Sequence, residues 1–205
     1  MNTPVRAVVF DLNGVLTRPP TPASLRRLRA AAALDEDVLL DRYWRNRPEY
    51  DRGAVDSAAY WELVGGRPYA DSELVRLVAA DAATWGRANR AVVDLLVALA
   101  ASGTRVAILS NTPNDVWRVQ EERHAWLSAV HVRTLSFAVG SLKPEQSIFR
   151  RCLSDLGAAP AETFFVDDRA ENVETARALG LRACLYRTPG RLVQALRQTG
   201  LHARP

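Results

Sequence analysis

Val8-Val9-Phe10-Asp11-Leu12-Asn13-Gly14-Val15-Leu16-Thr17 is the stretch from which the rest of the chain can be read. Residues 5–10 form a short run rich in β-branched side chains, which favours a buried strand. Asp11 ends the run, and Gly14 marks the turn that follows. A strand that delivers a carboxylate to its own carboxyl end places it where open α/β sheets bind their ligands.

Beyond this stretch, Pro19, Pro20 and Pro22 break the chain. Helical periodicity then holds over 24–33, over 35–45 with Leu34 as a staple residue ahead of it, over 56–64, and over 71–82. Gly65 and Gly66 separate the last two segments. Strand and helix alternate from residue 89 onward. Helix is predicted over 91–100, 114–122, 144–156, 170–179 and 191–198. Strand is predicted over 105–109, 134–137, 163–166 and 181–185. Gly157 and Gly180 stand just past two of these helices, as helix-ending glycines do. The pattern predicts an α/β fold: a Rossmann-like parallel sheet core with helices on both faces, and a small four-helix cap inserted after the first strand. The expected division is a core of 1–17 and 89–205, with a cap of 18–88.

The 205 residues are enough for one core and a small insert. With 48% hydrophobic and 24% charged residues, the composition is that of a globular protein and argues against disorder. No apolar run approaches the ~18 residues needed to cross a bilayer. The apolar residues before Asp11 are too few for a signal peptide, so a cytoplasmic protein without a membrane partner is expected. The net charge of +4 comes from arginine, because Lys143 is the only lysine. The arginines are scattered over helix faces without an aromatic-interleaved stripe, which points away from nucleic acid. Cys152 and Cys184 lack metal-ligand spacing and read as small hydrophobes. His124 and His131 read as structural, His202 falls in the tail, and Trp85, Trp117 and Trp126 read as packing anchors. Trp117 and Trp126 are also candidates for an oligomer contact, and a monomer or homodimer is expected.

Three predicted strands end in polar groups: Asp11, Ser110-Asn111 and Asp167-Asp168. In a parallel sheet these ends share one edge, so three carboxylates meet in one crevice. Left unpaired they repel one another and resist ionisation. Lys143 and a divalent cation would resolve the conflict, and oxygen ligands that leave room for a phosphate suit Mg²⁺.

Four segments resemble, in order, the four motifs of the haloacid dehalogenase-like superfamily. They are the stretch quoted above; Leu109-Ser110-Asn111-Thr112; Leu142-Lys143-Pro144-Glu145 with Ile148-Phe149; and Phe164-Phe165-Val166-Asp167-Asp168-Arg169 through Asn172 with Ala178-Leu179-Gly180. The resemblance implies an Mg²⁺-dependent phosphatase or phosphotransferase acting on a phosphorylated small molecule. Asp11 would be the nucleophile that forms an aspartyl-phosphate. Ser110, Asn111 and Lys143 would bind the phosphoryl group, Lys143 also neutralising the nucleophile. Asp11, Asp167 and the backbone carbonyl of Asn13 would ligate the metal, with Asp168 and Asn172 holding its waters or Lys143. Arg42 or Arg45 of the cap could contact the substrate, and Arg47 belongs to the same run. The cap aromatics Tyr43, Trp44, Tyr50, Tyr60 and Trp61 read as cap core. Tyr43-Trp44 with Tyr50-Asp51-Arg52-Gly53 resembles, more loosely, cap segments of the subgroup that includes the phosphatase domain of soluble epoxide hydrolases.

Position 13 departs from the family pattern, which has a second aspartate two residues after the nucleophile. Asn13 can orient a group but cannot shuttle a proton near neutral pH. Losing a general acid–base costs about 10²–10⁴-fold in rate, least when the leaving group is already acidic. Four readings stay open on sequence: a slow or specialised phosphatase; a metal-independent 2-haloacid dehalogenase, against which the acidic Asp167-Asp168 speaks; a binding module without turnover; and an Asn13 introduced to trap a substrate complex.

Overall fold

A computed structural model describes residues 3–201, so His202 lies outside the described residues. Five strands form one parallel sheet: β1 (Ala7–Phe10), β2 (Arg105–Ser110), β3 (Val132–Leu135), β4 (Thr163–Asp167) and β5 (Arg182–Leu185), in the order β3-β2-β1-β4-β5. After β1 the chain builds outward to β2 and β3, then returns to lay β4 on the other side of β1. The strand order therefore reverses between β1 and β4, where doubly wound sheets open a crevice.

Alternation along β1 sends its side chains to two separate cores. Val8 and Phe10 face one core with Val106, Ile108, Phe164 and Val166, against α5 (Arg90–Ala101) and α10 (Pro189–Arg197). Ala7 and Val9 face the other with Ala107, Leu109 and Phe165, against α8 (Gln146–Leu156) and α9 (Ala170–Ala178). A strand buried on both faces reads as a continuous apolar run, which is why residues 7–10 were legible. Cys152 lies in the second core; Cys184 is only half-buried. Trp117, on α6 (Asn114–Arg123), sits in the first core with Trp126 packed against it.

Between β1 and α5 stand α1 (Pro22–Ala32), α2 (Glu36–Asp51), α3 (Ser57–Gly65) and α4 (Asp71–Trp85), which make the four-helix cap. Thr21 and Asp56 cap α1 and α3 by accepting from the backbone of Ser24 and Ala59. The cap has its own core of Leu28, Leu39, Tyr43, Tyr50, Tyr60, Trp61, Val64 and Leu77, with the Tyr50 and Tyr60 rings stacked at 4.2 Å. Four of the five aromatics expected in the cap core are there. Trp44 is instead 52% exposed. Among the described residues, no helix is long and apolar enough to cross a membrane.

Of the boundaries that differ from the sequence expectation, three shape the surroundings of the crevice. Helix α2 runs on through Pro48 to Asp51 instead of stopping at Arg45. The missing proline N–H and the disfavoured helical state before it are offset by buried ion pairs that Arg47 makes to Asp51 and Asp81. The strand expected over 134–137 lies at Val132–Leu135, and the chain turns there into a short helix, α7 (Ser136–Val139). The Ser136 hydroxyl receives the Thr112 N–H at 2.9 Å and donates to the Asp51 carbonyl at 2.5 Å, which ties this turn to the cap. Helix α8 begins at Gln146 rather than 144, after a turn closed by Glu145 N–H to the Leu142 carbonyl at 2.7 Å.

Candidate active site

The carboxyl ends of β1 and β4 bring Asp11 and Asp167 side by side across the crevice. Asp11 is anchored by its own N–H to the Val166 carbonyl at 2.9 Å. The chain then folds back on itself: Thr17 N–H reaches the Leu12 carbonyl at 2.8 Å and Gly14 N–H the Thr17 carbonyl at 3.1 Å. Gly14 takes a φ of +96°, and a Cβ there would strike the Asp168 carboxylate. This position requires glycine on two counts: the backbone conformation and the close approach of Asp168. Gly14→Ala is expected to cost about 1–3 kcal/mol from the backbone strain alone and to displace Asp168. Urea unfolding measures the first effect, and titration with Mg²⁺ the second. An unchanged midpoint with unchanged Mg²⁺ affinity would contradict this reading of the loop.

Lys143 reaches both buried carboxylates, with Nζ 2.5 Å from Asp11 Oδ1 and 2.7 Å from Asp167 Oδ2. Asn111 fixes the lysine's backbone from both sides. Its Oδ1 accepts from the Lys143 N–H at 2.8 Å, and its Nδ2 donates to the Lys143 carbonyl at 2.9 Å. Asn111 is thus placed to position Lys143. Ser110 is fully buried at the end of β2, its hydroxyl making only a long 3.5 Å contact to the Asn111 carbonyl. Asp167 Oδ1 accepts from the Arg169 N–H and from Asn172 Nδ2, each at 2.9 Å. Asn13 turns its carbonyl Oδ1 to the Thr17 hydroxyl at 3.4 Å.

The charges do not balance. Asp11, Asp167 and Asp168 offer carboxylate oxygens that all lie within 4.8 Å of one another, and Lys143 supplies one positive charge. Burial, opposed by Lys143 and reinforced by Asp167 and Asp168, leaves the Asp11 carboxyl raised to about 8. Asp168 is also raised, by burial and then by Asp167. Burial acts to lower the Lys143 ammonium, but Asp11 and Asp167 more than reverse this and leave it above its ordinary value. A buried cluster with excess negative charge calls for a cation or for protons. One more observation bears on the donor set: Asn172 Oδ1 is buried without a hydrogen-bond partner. A hard divalent ion carrying waters fits three close carboxylates beside an unused amide oxygen. Asp168, expected to hold the metal's waters or Lys143, lies in the same carboxylate cluster.

These groups line one cavity of about 170 Å³ together with Asn13, Asn111, Asn172, Arg169 and, from the cap, Trp44, Arg47, Asp51 and Trp85. The sequence expectation for the cap arginines needs correction. Arg45 points outward, exposed, to Asp41 at 2.7 Å, and Arg42 donates to the Val64 carbonyl at 3.3 Å. Neither lines the cavity. Arg47 does, and it is held there by Asp51 at 2.7 Å, by Asp81 at 2.9 Å and by the Tyr43 hydroxyl. Tyr43 in turn donates to Asp81 at 2.7 Å. Trp44 and Trp85 meet edge to face at 6.2 Å on the cavity wall. Sequence reasoning missed Asp51 and Trp85 as site residues. The signal for Asp51 was its spacing of four from Arg47 and eight from Tyr43, one helical stripe hidden by ending the helix too early.

The cap rests on the core through Tyr50, which donates to Asp115 at 2.5 Å, and through Arg52, which pairs with Glu145 at 2.7 Å and donates to the Gly140 carbonyl at 3.2 Å. Arg52 and Ser141 hold the Glu145 carboxyl down at about 2.

Comparison with known proteins gives one consistent picture. A family model described as haloacid dehalogenase-like hydrolase matches residues 5–180. Bifunctional epoxide hydrolase 2 of Mus musculus is 26% identical over 216 residues, covering 96% of this chain but only 39% of its own length. The sesquiterpene phosphatase astK of Aspergillus oryzae is 25% identical, covering 88% of this chain and 89% of its own. Among solved structures, a HAD family enzyme of Bacteroides thetaiotaomicron in complex with magnesium and inorganic phosphate superposes with a TM-score of 0.73 at 23% identity, over 89% of this chain and 94% of that one. At that identity the superposition speaks for the fold.

Proposed function

The chain belongs to the haloacid dehalogenase-like hydrolases, and from that premise we propose that it is an Mg²⁺-dependent phosphatase or phosphotransferase acting on a phosphorylated small molecule, with 18–88 as its cap and 1–17 plus 89–205 as its core. The observation that carries the reading is the three-carboxylate cluster around Lys143, with ligand oxygens within 4.8 Å of one another. A metal-free substitution at carbon has no use for such excess negative charge. Two features of the comparisons support the same reading: one curated relative of matching length is a phosphatase, and one similar fold was solved with magnesium and phosphate.

In this reading Asp11 attacks phosphorus and carries the phosphoryl group as an aspartyl-phosphate. Asp11, Asp167, Asp168 and the Asn13 carbonyl would hold the metal, with Asn172 behind them. The ion, when bound, offsets charge on the phosphoryl oxygens and completes what Lys143 begins. Lys143 neutralises the nucleophile and the transferring group, held in place by Asn111. Ser110 binds a phosphoryl oxygen, which requires its hydroxyl to turn from the Asn111 carbonyl toward the cavity. Phosphoryl transfer depends on positioning and charge stabilisation, and these residues supply both. The cavity and the cap over it suit a metabolite rather than a macromolecule.

The test is release of inorganic phosphate from p-nitrophenyl phosphate and from acetyl phosphate, with Mg²⁺ and with a chelator, beside halide release from 2-chloropropionate. The expected result is Mg²⁺-dependent phosphate release and no halide. Chelator-insensitive halide release would overturn the assignment in favour of carbon–halogen chemistry.

A further inference from the structure

Asn13 leaves a gap in the proposed reaction, because it occupies a position next to the nucleophile yet cannot carry a proton. Another group of the cavity must then carry it. The titratable lining of the cavity consists of Asp11, Asp167, Asp168, Lys143, Arg47, Arg169 and Asp51. The first three form the proposed metal cluster. Lys143 is clasped between two of them. Arginine does not deprotonate in proteins, and Arg169 is in any case paired to Glu171 at 2.5 Å. Only Asp51 remains among the described residues that line the cavity.

We infer that Asp51, presented by the cap at the last residue of α2, is the proton carrier of this active site and takes over the task that Asn13 cannot perform. The inference rests on the phosphatase reading. In the first half-reaction Asp11 Oδ bonds to phosphorus, the bond from phosphorus to the ester oxygen breaks, and the Asp51 carboxylic acid gives its proton to that oxygen. The alcohol leaves and Asp51 becomes a carboxylate. In the second half-reaction water attacks the phosphorus of the aspartyl-phosphate, and Asp51 takes one proton from the water. Inorganic phosphate leaves, Asp11 is a carboxylate again, and Asp51 is once more an acid.

The surroundings of Asp51 suit this task. Only one of its oxygens is engaged, Oδ1 with Arg47 Nε at 2.7 Å. Among the described residues its other oxygen accepts no hydrogen bond, and the side chain, 13% exposed, lines the cavity. The Ser136 hydroxyl from α7 holds the Asp51 carbonyl at 2.5 Å and fixes the residue against the core. The charged groups facing it are Arg47 on its own helix and Asp81 from α4. Burial raises the Asp51 carboxyl first, Arg47 opposes this, Asp81 adds to it, and the net direction is upward. A carboxyl held above its ordinary value keeps its proton closer to neutrality, as an acid catalyst must.

Dependence on the leaving group separates a proton carrier from a residue that merely holds the cap together. Wild type and Asp51→Asn are compared on glycerol 1-phosphate, whose alcohol needs a proton, and on p-nitrophenyl phosphate, whose phenolate leaves unaided. Both rates come from one preparation, so their ratio does not depend on how much of the variant is folded. The expected result is a loss in kcat at least about ten-fold larger on glycerol 1-phosphate, within the ~10²–10⁴-fold range of lost acid–base catalysis. Adding Asn13→Asp to Asp51→Asn is expected to restore glycerol 1-phosphate turnover. Equal losses on the two substrates overturn the inference and leave Asp51 a structural partner of Arg47. A wild type inert on both esters beside an active Asn13→Asp variant overturns it as well, while preserving the phosphatase reading. If Asn13→Asp is also inert on both, the phosphatase reading falls, and this inference with it.

Discussion

Lys143→Met is expected to lower the stability of the metal-free protein by about 3–5 kcal/mol, the usual cost of removing one partner from a buried ion pair, and to reduce turnover by about 10²–10³-fold or more. Methionine nearly preserves the length and volume of the side chain, so the substitution removes little except the charge. Asp11 and Asp167 then stand buried beside each other, and beside Asp168, with no counter-ion. The same charge serves stability and catalysis because the cluster carries more negative charge than the fold alone can hold. Mg²⁺ is accordingly expected to recover part of the lost stability, since whatever binds only the folded state stabilises it by mass action. Urea unfolding with and without Mg²⁺ measures both effects. A Lys143→Met midpoint equal to that of wild type in the absence of metal would show that the ammonium is not what balances these carboxylates.

Arg47→Ala is expected to destabilise the cap by a comparable amount, about 3–5 kcal/mol. Asp81 is fully buried and Asp51 nearly so, and each relies on this guanidinium at 2.9 Å and 2.7 Å. Removing it strands the Asp81 carboxylate in a low-dielectric core, with only the Tyr43 hydroxyl left to serve it, and takes from Asp51 its hydrogen-bond donor. Adding Asp81→Ala should return part of the loss, because a charge that is absent needs no partner. The double-mutant cycle between positions 47 and 81 therefore gives a coupling energy that a surface pair would not. Amide exchange in α4 should show where the cap opens first. An Arg47→Ala protein less than about 1 kcal/mol below wild type would mean that the network is solvated, and the ion-pair account of why α2 continues past Pro48 would fail with it.

The core site was legible in the sequence because its signals are local. Val8-Val9-Phe10 ends abruptly in Asp11, and Phe164-Phe165-Val166 ends abruptly in Asp167; each pairs a doubly buried strand with the carboxylate at its end. Parallel strands then bring those ends together whatever lies between them. Lys143 stood out as the only lysine in the chain, and the structure places it between the two carboxylates. The cap face of the cavity was not legible. Arg47 finds Asp81 34 residues away, and nothing near either residue announces the partner. The expected helix stops at Arg45, short of Pro48, whose ring removes a local hydrogen bond; the ion pairs of Arg47 offset that loss. That expected helix carries Arg42 and Arg45, while Arg47 and Asp51 fall outside it. Trp44 and Tyr43 are adjacent in sequence, but a helix turns them about 100° apart. One is buried in the cap core and the other stands at the cavity.

The central claim is that Asp11 takes the phosphoryl group from the substrate. The most direct measurement is to incubate the protein with acetyl phosphate and Mg²⁺, quench in acid, reduce with borohydride, and map the peptides by mass spectrometry, with Asp11→Asn as the control. An acyl phosphate at Asp11 is reduced to homoserine at that position. The account predicts this product in the Asp11 peptide, dependent on Mg²⁺ and absent from Asp11→Asn. Phosphate release with an unmodified Asp11 peptide, or a reduced residue elsewhere that persists in Asp11→Asn, would contradict it.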